Sequence, residues 1–201
     1  MHLYLMRHAQ DRSRPAPGGG DRRRLTPTGR RQAAAAARWL ARHEVTEIRT
    51  SCLPRARETA AVVAEGTRLA CHEDARLDEI RTGPGGAGLP PPRERRDAVH
   101  PPDTEAWPDF LGRVRDCVAD LCRRPDPGHR IVLVTHSGFF DALHELVAGG
   151  GDRMELQVDH AAITQWQYRP GCPAGAWLLH RHNHTPCPDG TVPARGPGGA
   201  A

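Results

Sequence analysis

Apolar and polar positions alternate along this chain in short runs that predict strands and helices in turn. Residues 2–7 are short and apolar enough for a first strand, and residues 46–51 for a second. Residues 131–135 (IVLVT) form an unbroken run rich in β-branched side chains. Such a run suits a strand buried on both faces, as in parallel sheets covered by helices. Residues 163–168 and 177–181 carry weaker strand patterns.

Helical signals fall between these strands. Thr26 followed by Pro27 reads as an N-cap and a first-turn proline, and the alanine run carries that helix to residue 43. Residues 54–65 predict a second helix and residues 138–147 a fourth. Between them, Trp107, Phe110, Val114, Cys117, Val118 and Leu121 repeat at helical spacing, which marks a core-facing helix. Residues 11–24 read as a loop, and residues 83–92 are too rich in Gly and Pro for regular structure. This alternation predicts an α/β fold, a three-layer α/β/α sandwich with a mainly parallel central sheet. The expected organisation is one domain over residues 1–190, with residues 81–102 inserted over the site and residues 191–201 forming a flexible tail.

Composition narrows the possibilities. All 28 basic residues are arginine and lysine is absent, which excludes a lysine-dependent phosphate loop and Schiff-base chemistry. The net charge of +4 is dispersed and no nucleic-acid module is recognisable, so no nucleic-acid partner is expected. No stretch has the length of a membrane span and residues 1–7 do not resemble a signal peptide, so the expected location is cytoplasmic, with no membrane partner. Six scattered cysteines fit reduced thiols, with Cys117 and Cys122 acting as small apolar groups on a helix.

Three segments share the layout of apolar strand, polar residues, then helix. They end in Arg7-His8, in Ser51-Cys52-Leu53-Pro54-Arg55, and in Thr135-His136-Ser137-Gly138. The carboxyl ends of strands in open α/β sheets meet at the ligand crevice, so two histidines and two arginines should converge there. A neutral imidazole is a good nucleophile towards phosphorus, and guanidinium groups match phosphate oxygens with paired donors. Phosphoryl transfer is therefore the chemistry these residue types suit.

The same segments resemble the histidine phosphatase superfamily, also called phosphoglycerate mutase-like. Its opening Arg-His-Gly/Ala-Glu is matched by Arg7-His8-Ala9-Gln10, and its Leu-Thr-x-x-Gly-x-x-Gln-Ala by residues 25–33. Its Ser-x-Leu-x-Arg-Ala-x-x-Thr-Ala is matched by residues 51–60, its Leu-x-Glu by Leu77-Asp78-Glu79, and its Ser/Thr-His-Gly/Ser by Thr135-His136-Ser137. The resemblance implies a cofactor-free phosphatase of small phosphorylated metabolites. His8 would be phosphorylated transiently, Arg7, Arg55, His136 and Ser137 would hold the phosphoryl group, and Glu79 would protonate the leaving oxygen. Mutase-type phosphoryl transfer and a non-catalytic phosphate-binding regulator are the alternatives. Asp78 is the second candidate for the acid, and Arg57 is expected to be a solvated helix residue.

Gln10 stands where the family carries Glu, which removes a charge expected near the pocket. His180, His182 and His184 alternate, with Cys187 nearby, but lack the usual spacing of a zinc site, so no metal is expected. Arg12, Arg14, Arg22, Arg23, Arg24, Arg81, Arg93, Arg95 and Arg96 lie in loops expected to rim the site and to meet a second anionic group on the substrate.

Overall fold

Every strand and helix expected from the sequence is present in the computed structural model, which describes residues 1–12, 23–82, 94–95, 102–123, 126–150, 153–171 and 176–187. Six strands form one sheet: β1 (His2–Arg7), β2 (Glu47–Thr50), β3 (Cys71–Glu73), β4 (Arg130–Thr135), β5 (Ile163–Arg169) and β6 (Ala176–His184). Four helices cover it: α1 (Pro27–Ala41), α2 (Pro54–Thr67), α3 (Trp107–Cys122) and α4 (Ser137–Ala148). Most of the expected insertion, 83–93 and 96–101, lies outside the described residues, as does the expected tail.

The strand order is β3-β2-β4-β1-β5-β6. β3, β2, β4 and β1 run parallel, whereas β5 runs antiparallel to both its neighbours, β1 and β6. The short β3 has no strand-like sequence pattern. Two of its three side chains are exposed, and its backbone pairs with β2.

Side-chain alternation along β1 and β4 builds two cores at once. Leu3, Leu5, Ile131 and Leu133 face α3 and α4, where they pack with Phe110, Val114, Phe139 and Leu143. Tyr4, Met6, Val132 and Val134 face α1 and α2, packing with Ala33, Ala36, Leu40, Ala60 and Val63. These central strands are therefore apolar on both faces, as expected of a sheet buried between helical layers. Thr26 caps α1 by accepting from Gly29 N at 3.0 Å, with Pro27 in the first turn.

The same face of α1 sets the backbone after β1. A Cβ on Gly29 would lie 2.1 Å from Gln10 O, so only glycine permits this approach. Thr26 N donates to Gln10 O at 3.0 Å, and Gln10 N donates to Gln32 Oε1 at 3.0 Å. Ala9 N donates to Thr59 Oγ1 on α2. The turn that carries His8 is thus fastened to both helices of one layer.

Candidate active site

His8, Ser51 and His136 follow the carboxyl ends of the neighbouring strands β1, β2 and β4, and Arg55 lies in the first turn of α2. All four are buried, with Arg55 only 2% exposed. Arg55 Nε donates to His8 Nε2 at 3.1 Å, and Arg55 Nη2 lies 2.9 Å from His136 Nδ1. One guanidinium therefore touches both imidazoles.

These contacts fix the proton on each ring. His8 Nδ1 lies 2.9 Å from Ala9 O, a group that only accepts, so Nδ1 carries the proton and Nε2 keeps its lone pair. Arg55 only donates, so His136 Nδ1 is an acceptor and Nε2 carries that ring's proton. His136 Nε2 donates to Ser51 Oγ at 2.8 Å, and Ser51 Oγ donates to Asp78 Oδ1 at 2.7 Å. Burial, and then the Arg55 guanidinium, hold both histidines well below the ordinary value. Both rings are neutral at neutral pH.

Asp78 also accepts from Cys52 N at 2.7 Å, so both contacts direct this carboxylate to the β2 turn. Glu79 points elsewhere. Its Oε2 accepts from Ser137 Oγ at 3.4 Å and Gly138 N at 3.5 Å, at the start of α4. Burial raises its carboxyl above the usual range, against the opposing pull of Ile80 N, Arg55 and Arg7. Its backbone is clamped by an α3 residue with no motif signal. Arg113 donates to Arg76 O and Asp78 O at 2.8 Å and to Glu79 O at 3.3 Å, while pairing with Glu105 at 2.7 Å.

Arg7 donates through Nη1 to Val158 O. Two further residues reach His8 without any sequence motif. Asp11 lies 3.8 Å from Arg55 Nε, and the His160 ring stands edge-on to His8 with centroids 5.4 Å apart. His8, Asp11 and His160 are, among the described residues, the one group of three with ligand-type atoms within 4.8 Å of one another. Arg55 touches His8 and neighbours Asp11, and its charge and that of Arg7 oppose a metal ion there.

Several expectations are corrected. Gln10 does not face the pocket: its Oε1 accepts from Thr26 Oγ1 at 2.7 Å, so the change from Glu acts on the α1 cap. Arg95 does not rim the site. It is 1% exposed, paired with Asp141 at 2.9 Å and placed over the Trp107 ring. Arg23 and Arg24 pair with Asp11 and Glu58, while Arg12 and Arg81 are exposed. Arg14, Arg22, Arg93 and Arg96 lie outside the described residues. Arg57 is the solvated helix residue expected, paired with Glu73 on the surface at 2.9 Å. His180, His182 and His184 go to different partners, Gln167, Thr164 and the Trp39 ring, because bulges break the alternation of β6. Cys52, Cys71, Cys117, Cys122 and Cys187 are free thiols, with Cys117 fully buried. No helix among the described residues is long and apolar enough to cross a membrane.

An α/β/α sandwich with paired imidazoles and guanidiniums at the carboxyl edge of its parallel strands defines a narrow class of protein. The chain belongs to the histidine phosphatase superfamily (branch 1), whose model matches residues 3–183. It is similar to a mycobacterial glucosyl-3-phosphoglycerate phosphatase structure, with 27% identity and a TM-score of 0.75 over 90% of this chain and 98% of that one. A probable phosphoglycerate mutase of Yersinia enterocolitica is 29% identical over 92% of this chain and 94% of its own length. An uncharacterised Mycobacterium tuberculosis protein is 35% identical over 56% of this chain, a match that spans only 60% of that relative.

Proposed function

We propose that this protein is a phosphatase that hydrolyses a small phosphorylated metabolite through a phosphohistidine at His8. The observation that carries the reading is the state of His8 Nε2: unprotonated, buried and facing Arg55 Nε at 3.1 Å. In this reading the Nε2 lone pair attacks phosphorus. Arg7 and Arg55 neutralise charge on the three equatorial oxygens and Ser137 donates to them, while His136 contacts them through Nδ1, which takes up a proton as the phosphoryl group enters. Glu79, whose burial makes its carboxyl easier to protonate than that of an ordinary glutamate, gives its proton to the leaving oxygen and then takes one from the attacking water. The reading includes a second anionic group on the substrate, for which Arg12 and Arg81, one and two positions after Asp11 and Glu79 in the chain, are exposed candidates. The likeness to a glucosyl-3-phosphoglycerate phosphatase favours hydrolysis of such a compound.

Mutase-type transfer is the second reading, favoured by the relative described as a probable phosphoglycerate mutase. One experiment separates the two. The protein is incubated with 3-phosphoglycerate and 2,3-bisphosphoglycerate, and with a panel of phosphomonoesters that includes p-nitrophenyl phosphate. Steady phosphate release, lost in His8→Ala, supports the phosphatase. Rapid formation of 2-phosphoglycerate with little free phosphate would replace it with the mutase.

A further inference from the structure

Asp11 and His160 have no part in the reaction as proposed, yet both are built into the pocket. Asp11 is 8% exposed, and its Oδ2 accepts no hydrogen bond, although Arg23 and Arg55 lie within 3.6 and 3.8 Å. A carboxylate at this place repels an incoming phosphate dianion unless another charge answers it. His160 is held towards His8 by two main-chain bonds, Ala161 N to His8 O at 3.2 Å and Arg7 N to Ala162 O at 3.1 Å. The bend between them puts Ala161 at φ 59°, a left-handed conformation unfavourable for alanine.

Resting on the phosphatase reading above, we propose that His160, paired with Asp11, is a fifth group contacting the phosphoryl oxygens, as an imidazolium formed when the dianion enters. Every neighbouring charge has a place in this account. Arg7 on β1 and Arg55 on α2 oppose a proton on His160, and Asp11 and Asp159 favour one. Asp159 is also held by Asn183 Nδ2 at 3.1 Å, whereas Asp11 Oδ2 keeps an unused lone pair. Before phosphate binds, burial and Arg7 disfavour a proton on His160. A phosphate dianion cancels the effect of the two guanidiniums and reverses the balance. One proton then comes from solvent, Asp11 faces a cation, and the imidazolium donates to a phosphoryl oxygen. The N–H bond formed on His160 is the one covalent change there, at the expense of a proton of the solvent.

The test is calorimetric titration of inorganic phosphate into the protein at about pH 8, above the ordinary histidine value of about 6.5. It is run in two buffers of different ionisation enthalpy. Wild type should take up ~1 proton per phosphate bound beyond the one on His136, and the ¹⁵N shifts of His160 should move to those of imidazolium. His160→Asn should abolish that additional uptake and weaken phosphate by about tenfold, the size of one charge-assisted bond. Asp11→Asn should reduce the uptake. Phosphate binding without proton exchange, or with unaltered His160 shifts, would overturn the proposal and leave the phosphatase reading standing. Failure of wild type to bind phosphate would remove both.

Discussion

Arg55 Nε donates to His8 Nε2 at 3.1 Å, while its Nη2 reaches His136 Nδ1 at 2.9 Å. The guanidinium thereby keeps protons off both inward-facing nitrogens, because it can only donate. Arg55→Lys should not restore this geometry, since an ammonium is a point charge without a planar fork. Both Arg55→Ala and Arg55→Lys should lose roughly 10²-fold or more in kcat with p-nitrophenyl phosphate. Near-wild-type turnover of the lysine variant would remove the fork from the mechanism.

Glu79 should matter in proportion to the basicity of the leaving group. Glu79→Gln should cost roughly 10²–10⁴-fold with alkyl phosphates and far less with p-nitrophenyl phosphate, whose leaving oxygen needs no proton. Activity should fall as pH rises through the raised Glu79 carboxyl, and fall at low pH as His8 protonates. Because the His8 value is lowered and the Glu79 value raised, the acid limb lies below the ordinary histidine range and the basic limb above the ordinary carboxylate range. A kcat/KM profile for an alkyl phosphate in Glu79→Gln that keeps the basic limb would place that limb elsewhere.

The lowered histidines also make a stability prediction. His8 and His136 are protonated less readily in the folded protein than in the unfolded chain. Where the unfolded state binds more protons, stability rises with pH. Their contribution is therefore complete above the unfolded value of about 6.5 and is lost as pH falls below it, by up to about 1.4 kcal/mol per pH unit for each ring. Urea unfolding should show this slope below about pH 6.5, and His8→Asn should reduce it. An unchanged slope in that variant would contradict the assignment.

Ser51 links His136 to Asp78, so Ser51→Ala leaves the His136 Nε2 proton and the Asp78 carboxylate each short of a partner. The expected cost is about 1–3 kcal/mol of stability, with kcat lowered because His136 can turn or change tautomer. Chemical denaturation and steady-state kinetics check the two effects separately. Loss of stability with kcat unchanged would make the link purely structural.

Arg95 and Asp141 form a pair 1% and 5% exposed, joined by the Trp107 ring at 4.9 Å from the guanidinium carbon. Arg95→Ala strands Asp141, whose carboxyl burial already raises, and should destabilise the fold by about 3–5 kcal/mol. Asp141→Asn in the same background should recover part of that loss in a double-mutant cycle. Additive losses would show that the two do not interact.

The order of apolar runs determined the α/β/α sandwich, because strands with Leu3 and Leu5 on one face and Tyr4 and Met6 on the other need a helical layer on each side. Motif spacing also brought His8, Arg55, Glu79 and His136 onto one list, since each follows or opens an element at the same end of the sheet. β3 was not legible, because its exposed side chains carry no periodicity and only pairing with β2 makes it a strand. Gln10 and Arg95 were misread from local context: what each touches, Thr26 and Asp141, is chosen by packing between distant segments. Asp11 lies three positions from His8 but its burial depends on Arg23 and Arg55. His160 is 152 positions on, carried to His8 by β5 pairing with β1 and by two backbone bonds. Local chemistry is written in residue type and spacing, whereas the neighbours that set proton positions are fixed only when the sheet closes and excludes water.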